Sequence, residues 1–238
     1  MKTIEPPWPL DDRVGAFATT RHGGVSEGPW ASMNIGINSG DEPLAVAANR
    51  DRLAARLPSE PRWLAQVHGT RVIHLGDWHP EIEADAAWTD RPGEVVAIQA
   101  ADCLPILLAD RSATVVAGVH GGWRSLASGI IPEMLSALPV DGADLLAWIG
   151  PGICGRCYQV GQDVREGFLA VDPDLADAFV EDGDRWLADL KWIAARQLHK
   201  AGVQVFDCGR CTFEASGDFY SFRRDGRTGR MASVVWIR

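Results

Sequence analysis

The sequence predicts an α+β fold in a single domain. Its strongest apolar runs, residues 95–101, 105–109 and 113–119, are of strand length and rich in Val, Ile and Leu. Helical and extended segments do not alternate as a clean βαβ series, which argues against a doubly wound sheet. No internal repeat, low-complexity tract or linker divides the chain. Its 238 residues therefore read as one domain over 1–238, with a short N-terminal extension over about 1–12.

Taken in order, residues 14–20 read as a strand. A glycine-rich loop follows over 21–29 and continues through 32–36, at the surface or over a site. Asp41 reads as an N-cap with Glu42 and Pro43 in the first turn. The helix it starts runs to Leu57 with apolar Leu44, Ala47, Ala48, Leu53 and Leu57, and is stopped by Pro58 and Pro61. Residues 63–68 and 71–75 read as short strands joined at Gly69-Thr70, with a further piece at 85–89. Residues 94–101, 105–109 and 114–120 form a central strand block, the last two paired as a hairpin across Asp110-Arg111. Residues 125–138 read as a helix that starts late or kinks at Pro132, and 144–149 as a strand. Residues 163–171 and 174–180 are helical candidates. Residues 187–201 read as a helix closed by Gly202, and 203–206, 219–223 and 232–237 as strands.

Composition narrows the function. The net charge of −9 argues against nucleic-acid binding by bulk electrostatics. An anionic substrate needs a local cluster of arginines, for which Arg21, Arg50, Arg124, Arg223 and Arg224 are available. No run approaches the roughly 20 apolar residues of a membrane span, and residues 1–8 lack the apolar core of a signal peptide, so a cytoplasmic protein is expected. Five cysteines in such a chain favour metal or redox roles over disulfides.

Three of the apolar stretches end in metal-capable side chains, two of them beside glycine. Residues 63–67 lead into His68-Gly69, residues 95–101 into Asp102-Cys103, and residues 113–119 into His120-Gly121-Gly122-Trp123-Arg124. Singly, each reads as an inert core thiol or a satisfied histidine. Jointly, one Cys and two His make a ligand set for a d-block ion with an open fourth position. His22, His74, His79 and His199 lie in weaker contexts. Cys154-Gly155-Arg156-Cys157 and Cys208-Gly209-Arg210-Cys211 form two C-x-x-C pairs, but the gap between them is about three times that of a zinc ribbon. At least some of these thiols therefore read as packing residues near the site, with a Cys₄ zinc site as the sharper alternative. Arg124 follows His120 by four residues at a helix start, where a guanidinium fork and backbone amides both suit phosphate.

These motifs carry a resemblance. Gly23-Gly24-Val25-Ser26, Ser32-Met33-Asn34-Ile35-Gly36, Gln66-Val67-His68-Gly69, Ala101-Asp102-Cys103-Leu104-Pro105 and His120-Gly121-Gly122-Trp123-Arg124 resemble the YfiH-type family, also called laccase-domain or polyphenol-oxidase-like. Cys157-Tyr158-Gln159-Val160-Gly161, Phe222-Arg223-Arg224-Asp225-Gly226 and Thr228-Gly229-Arg230-Met231-Ala232-Ser233 extend the match to the C-terminus. Gly121, Ser125 and Gln159 depart from the family pattern, and Gln159 cannot ionise where the family has Glu.

The resemblance implies a layered α/β/β/α sandwich with mixed sheets. It also implies a purine nucleoside phosphorylase acting on adenosine, inosine and methylthioadenosine, with adenosine deaminase activity. His68, Cys103 and His120 are implied as catalytic residues and as ligands to Zn²⁺, with Cu²⁺ as the alternative ion. A three-ligand Zn²⁺ keeps a position for water and lowers its pKa to about 7. Arg50 and Arg124 are candidates to hold phosphate, and Asn34 and Gln66 to donate to ribose or base. The expected partners are a purine nucleoside and phosphate, with no nucleic acid or membrane, in a monomer or weak homo-oligomer. The alternatives are a Cys–His hydrolase, a copper-dependent phenol oxidase and a peptidoglycan-precursor editing role.

Overall fold

The computed structural model describes residues 1–10 and 12–238. Its strands are β1 (Thr3–Ile4), β2 (Val14–Thr19), β3 (Val72–His74), β4 (Ala86–Thr89), β5 (Val96–Ala100), β6 (Leu104–Asp110), β7 (Val116–Gly121), β8 (Leu145–Ile149), β9 (Gln159–Val160), β10 (Phe179–Asp182), β11 (Arg185–Ala188), β12 (Gln204–Asp207) and β13 (Met231–Ile237). The helices are α1 (Pro43–Ala54), α2 (Trp123–Ala127), α3 (Ile130–Ala137), α4 (Gln162–Leu169), α5 (Leu190–Lys200) and α6 (Phe222–Asp225).

Two mixed or antiparallel sheets pack face to face. One has the order β1-β2-β13-β5, the other β12-β8-β6-β7-β4-β3, and a small sheet β10-β11-β9 stands beside them. Every residue of β6 is buried. The twofold alternation sends Ile106 and Leu108 into the core beneath α3 and α5, and Leu107 and Ala109 into the core between the sheets. Both faces are covered, so the strand reads as an unbroken apolar run. On the far side of the four-stranded sheet, Leu53 of α1 packs with Met33, Ile35, Val234 and Trp236. The layers are thus α1, sheet, sheet, and α3 with α5, an α/β/β/α sandwich. The segment expected as an N-terminal extension contributes β1, which pairs antiparallel with β2. Among the described residues no helix is long and apolar enough to cross a membrane.

Several local expectations are corrected. Helix α1 starts at Pro43 with Glu42 as N-cap; Asp41 instead accepts the Glu42 amide and the Asn34 side chain, at 2.8 and 2.9 Å. Its buried face is Val46, Asn49 and Leu53, while Leu44 is 86% exposed. Residues 63–68 form no strand; isolated bridges join Arg62 to Val96 and Ala65 to Glu83, and the Gln66 amide bonds the Gln99 backbone of β5. The helix expected over 125–138 is two helices, broken at Gly129 with φ 91°. Pro132 then falls in the first turn of α3, where no intrahelical donor is lost. Helix α5 starts at Leu190, capped by Asp189, which accepts the Trp192 amide at 3.0 Å; the preceding residues pair as β11. Residues 173–178 form a 3₁₀ turn before β10, and residues 219–223 form no strand: Ser221 caps α6 instead.

Candidate metal centre

The site lies where the chain passes from one sheet to the other. Strand β5 belongs to the four-stranded sheet and β6 to the six-stranded sheet, and Asp102-Cys103 is the link between them. Asp102 has φ 99°, in the left-handed region. Its carboxylate offsets that strain by accepting Thr212 Oγ1 at 2.6 Å, Ser221 Oγ at 3.1 Å and the Arg223 amide at 2.7 Å. The link thereby fixes Cys103 and anchors the C-terminal loop beside it.

His120 is near the end of β7 and is 3% exposed. His68 is exposed, on a loop, with φ 61°. Asp85 joins the two. Its carboxylate accepts the amides of Val67, His68 and Gly69 at 3.1, 3.0 and 2.7 Å. It also lies 2.8 Å from Nδ1 of His120, and its carbonyl accepts the His120 amide at 2.7 Å. The carboxylate selects the His120 tautomer with hydrogen on Nδ1, which leaves Nε2 as the ligand atom.

The three expected ligands come together. One ligand atom each from His68, Cys103 and His120 lie within 4.8 Å of one another. His68 Nε2 is 3.7 Å from Cys103 Sγ, and the two imidazoles meet edge to face at 4.8 Å between centroids. Gly122 closes the cradle: a Cβ there would stand 2.6 Å from His68 Cδ2 and 3.5 Å from Cys103 Sγ. Burial alone would raise the Cys103 thiol, but His120 and then His68 outweigh it and bring it down to about 6. Burial likewise opposes the His120 imidazolium, but the Cys103 thiolate and Asp85 hold it up to about 9. A thiolate and two imidazoles at this spacing fit a thiophilic divalent ion with a vacant coordination position.

Around these ligands the protein is basic and aromatic. Tyr158 interacts electrostatically with Cys103, Arg223 and Arg124, and burial is the main cause that pushes its hydroxyl up to about 12. The Arg223 guanidinium lies 4.8 Å from the Tyr158 ring centroid. Arg124 is exposed and stacks 4.4 Å over Trp123. Arg230, lowered by burial, lies in the field of Cys103 and Asp102.

The other expected substrate contacts are placed differently. Asn34 is fully buried. Its Oδ1 accepts the Gly36 and Arg230 amides and its Nδ2 donates to Ser39 and Asp41, so the whole amide serves the chain. Gln66 is zipped to the Gln99 backbone by both ends of its amide, at 2.8 and 2.9 Å. Arg50 donates to the Ile35 carbonyl and stacks 4.3 Å over Trp63. Sequence reasoning missed Asp85, Tyr158 and Arg230. The available signal for Asp85 was an acidic residue between Ala84 and Ala86 at the mouth of a buried strand. The C-x-x-C thiols divide unevenly: Cys154, Cys157 and Cys211 converge, whereas Cys208 lies 3.9 Å from Lys191 Nζ.

Comparison with known proteins places this geometry in context. Residues 15–238 match the family described as multi-copper polyphenol oxidoreductase laccase. The purine nucleoside phosphorylase YfiH of Shigella flexneri is 46% identical over 99% of both chains, and that of Escherichia coli is 45% identical over 99% of both. Among solved structures, protein NMB0706 of Neisseria meningitidis superposes with a TM-score of 0.96 at 38% identity, covering 100% of this chain and 99% of that one. YfiH of Bacillus licheniformis superposes with a TM-score of 0.89 at 29% identity, covering 95% and 94%.

Proposed function

The chain belongs to the laccase-domain family just described, and from that premise we propose that it is a metal-dependent purine nucleoside phosphorylase. Its substrates are adenosine, inosine and methylthioadenosine, and adenosine deamination accompanies phosphorolysis. The ion is Zn²⁺, with Cu²⁺ the competitor that such donors also favour. The observation that carries the reading is the convergence of His68, Cys103 and His120 under Asp85, in a chain whose close relatives bear the phosphorylase name. Among the described residues no further imidazoles join His68 and His120 in a ligand group, which favours one N₂S site over a multicopper oxidase.

In phosphorolysis a phosphate oxygen bonds to C1′ of the ribose as the C1′–N9 bond breaks. The purine leaves as the free base after taking up a proton, and ribose 1-phosphate forms. Arg124, together with Arg223, orients phosphate through guanidinium forks. Tyr158, neutral at pH 7, offers its hydroxyl as a donor beside them. His68, Cys103 and His120 would hold the ion, which supplies Lewis-acid polarisation when bound. Asp85 keeps the proton on His120 Nδ1 and so keeps Nε2 available. Asn34, through the Arg230 amide, and Gln66, through the Gln99 backbone, hold the segments that carry Arg230 and His68 rather than donating to ribose or base. The protein acts in the cytoplasm as a monomer or weak homo-oligomer.

The test is release of ribose 1-phosphate from inosine by zinc-replete protein with phosphate present. Phosphate-dependent product supports the reading, and none rules it out. A second reading has a specific observation behind it: a Cys103 thiol held near 6 beside a His120 held near 9 is also a nucleophile–base pair for amide or ester hydrolysis. Chelation separates the two, since it abolishes phosphorolysis and leaves a thiol hydrolase active.

A further inference from the structure

A second group of ligands lies away from the imidazoles. The sulfurs of Cys154, Cys157 and Cys211 lie within 4.8 Å of one another. Cys154 and Cys157 flank a tight turn closed by the Cys157 amide on the Cys154 carbonyl at 3.0 Å. Cys211 comes from a distant loop held alongside by the Thr212 amide on the Gly152 carbonyl at 3.1 Å. The Cys154 amide points at Cys211 Sγ at 3.3 Å, the kind of backbone bond that supports a ligating thiolate. Cys154 and Cys157 are half-buried and Cys211 is buried, so an ion can enter from one side.

Glu214 stands at the open side. Its Oε1 is 3.7 Å from Cys157 Sγ, and Arg156 Nη2 holds both carboxylate oxygens at 3.0 Å. Cys208, the remaining thiol of the two C-x-x-C pairs, is turned away. Its sulfur accepts the Arg210 amide at 3.4 Å and faces Lys191, which is paired with Asp207 at 2.8 Å. The sequence pattern C-x-x-C with C-x-x-C therefore resolves into three thiols and a carboxylate rather than four thiols.

We propose that Cys154, Cys157 and Cys211 bind a second, structural divalent ion of the zinc class, with Glu214 or water as the fourth ligand. Tetrahedral bonds of about 2.3 Å bring sulfurs to about 3.8 Å apart, so binding draws the three together by at most about an ångström of side-chain movement. The thiols ligate as thiolates and their protons pass to solvent. The effect is to join two loops that both lean on Asp102: its carbonyl accepts the Ile153 amide at 2.9 Å and its carboxylate accepts Thr212 Oγ1. The second ion thus braces the wall from which Cys103 projects.

The test is a cobalt titration of reduced, chelator-stripped full-length protein, read by bound equivalents and by sulfur-to-cobalt absorption. Wild type should bind one equivalent more than Cys157→Ser, with most of the sulfur absorption lost in the variant. Cys208→Ser should match wild type. Equal stoichiometry in wild type and Cys157→Ser would overturn the proposal, as would loss of the ion in Cys208→Ser. Because the readout is a difference, it stands whether or not the His68 site loads. If Cys157→Ser does not fold, alkylation of wild type with and without zinc decides. Zinc should protect Cys154, Cys157 and Cys211 together and leave Cys208 unchanged; absence of joint protection, or a disulfide among the three in freshly reduced protein, contradicts the site.

Discussion

The carboxylate of Asp85 lies 2.8 Å from Nδ1 of His120, with the two side chains 0% and 4% exposed. The same carboxylate accepts three consecutive amides around His68. One residue therefore positions two of the three candidate ligands.

Replacing Asp85 by Asn keeps the shape but gives an amide nitrogen that cannot accept. Either the His120 Nδ1 hydrogen or part of the His68 loop loses its acceptor. Metal affinity at this site should fall by about 10–100-fold, measured by competition with a chromogenic chelator. An unchanged affinity would show that Asp85 does not set the His120 tautomer.

Gly122 has φ −70° and ψ 155°, which any residue adopts, so its importance is space and not backbone freedom. In Gly122→Ala the added methyl meets His68 Cδ2 at 2.6 Å and must displace that exposed ring. Metal binding and turnover should drop sharply while stability changes by no more than ~1 kcal/mol. Thermal unfolding beside metal affinity checks the split.

The pH dependence of metal binding has a defined sign. Cys103 is a thiolate above about 6, and His120 keeps its competing proton up to about 9. Between these values the metal displaces the His120 proton, so apparent affinity should rise about tenfold per pH unit through this linkage. Below about 6 the slope steepens as Cys103 also protonates. Isothermal titration in buffers of different ionisation enthalpy reads the proton count, and a flat profile between pH 6 and 9 would contradict the assignment.

Arg124 is exposed and stacked on Trp123, so its removal should leave the fold intact. Arg124→Ala should raise the KM for phosphate about tenfold or more, with the KM for inosine less affected, and Arg124→Lys should recover only part because it lacks the fork. Equal effects on both substrates would place Arg124 outside the phosphate site.

Asp102 is a stability residue. Asp102→Ala removes the acceptor for Thr212, Ser221 and the Arg223 amide and leaves those donors in a buried setting. A loss of about 3 kcal/mol or more is expected, read by denaturant unfolding. Asp102→Asn should lose less, since one oxygen still accepts.

The α+β class was legible in the sequence because strands covered on both faces leave unbroken apolar runs, as in β6 and β7, whereas the sandwich layering came from the family resemblance. The candidate ligands were legible because each is punctuated by glycine or by a break in such a run. What was hidden depends on contacts far apart in the chain. Nothing local says that Asp85 reaches His120, that Gln66 spends its amide on the backbone, or that Asn34 spends its own on two backbone amides and the side chains of Ser39 and Asp41. Helix α5 was read three residues long at its start because residues 187–189 suit a helix by composition, while pairing of β11 with β10 and the Asp189 cap decide otherwise. The C-x-x-C pairs could not be sorted from the sequence, since only the fold separates Cys208 from Cys154, Cys157 and Cys211.

The most direct test of the central claim is anomalous X-ray diffraction at the zinc edge from crystals of metal-replete protein. The account predicts a peak between Nε2 of His68, Nε2 of His120 and Sγ of Cys103. A metal-replete crystal with no anomalous density among those three atoms would contradict it.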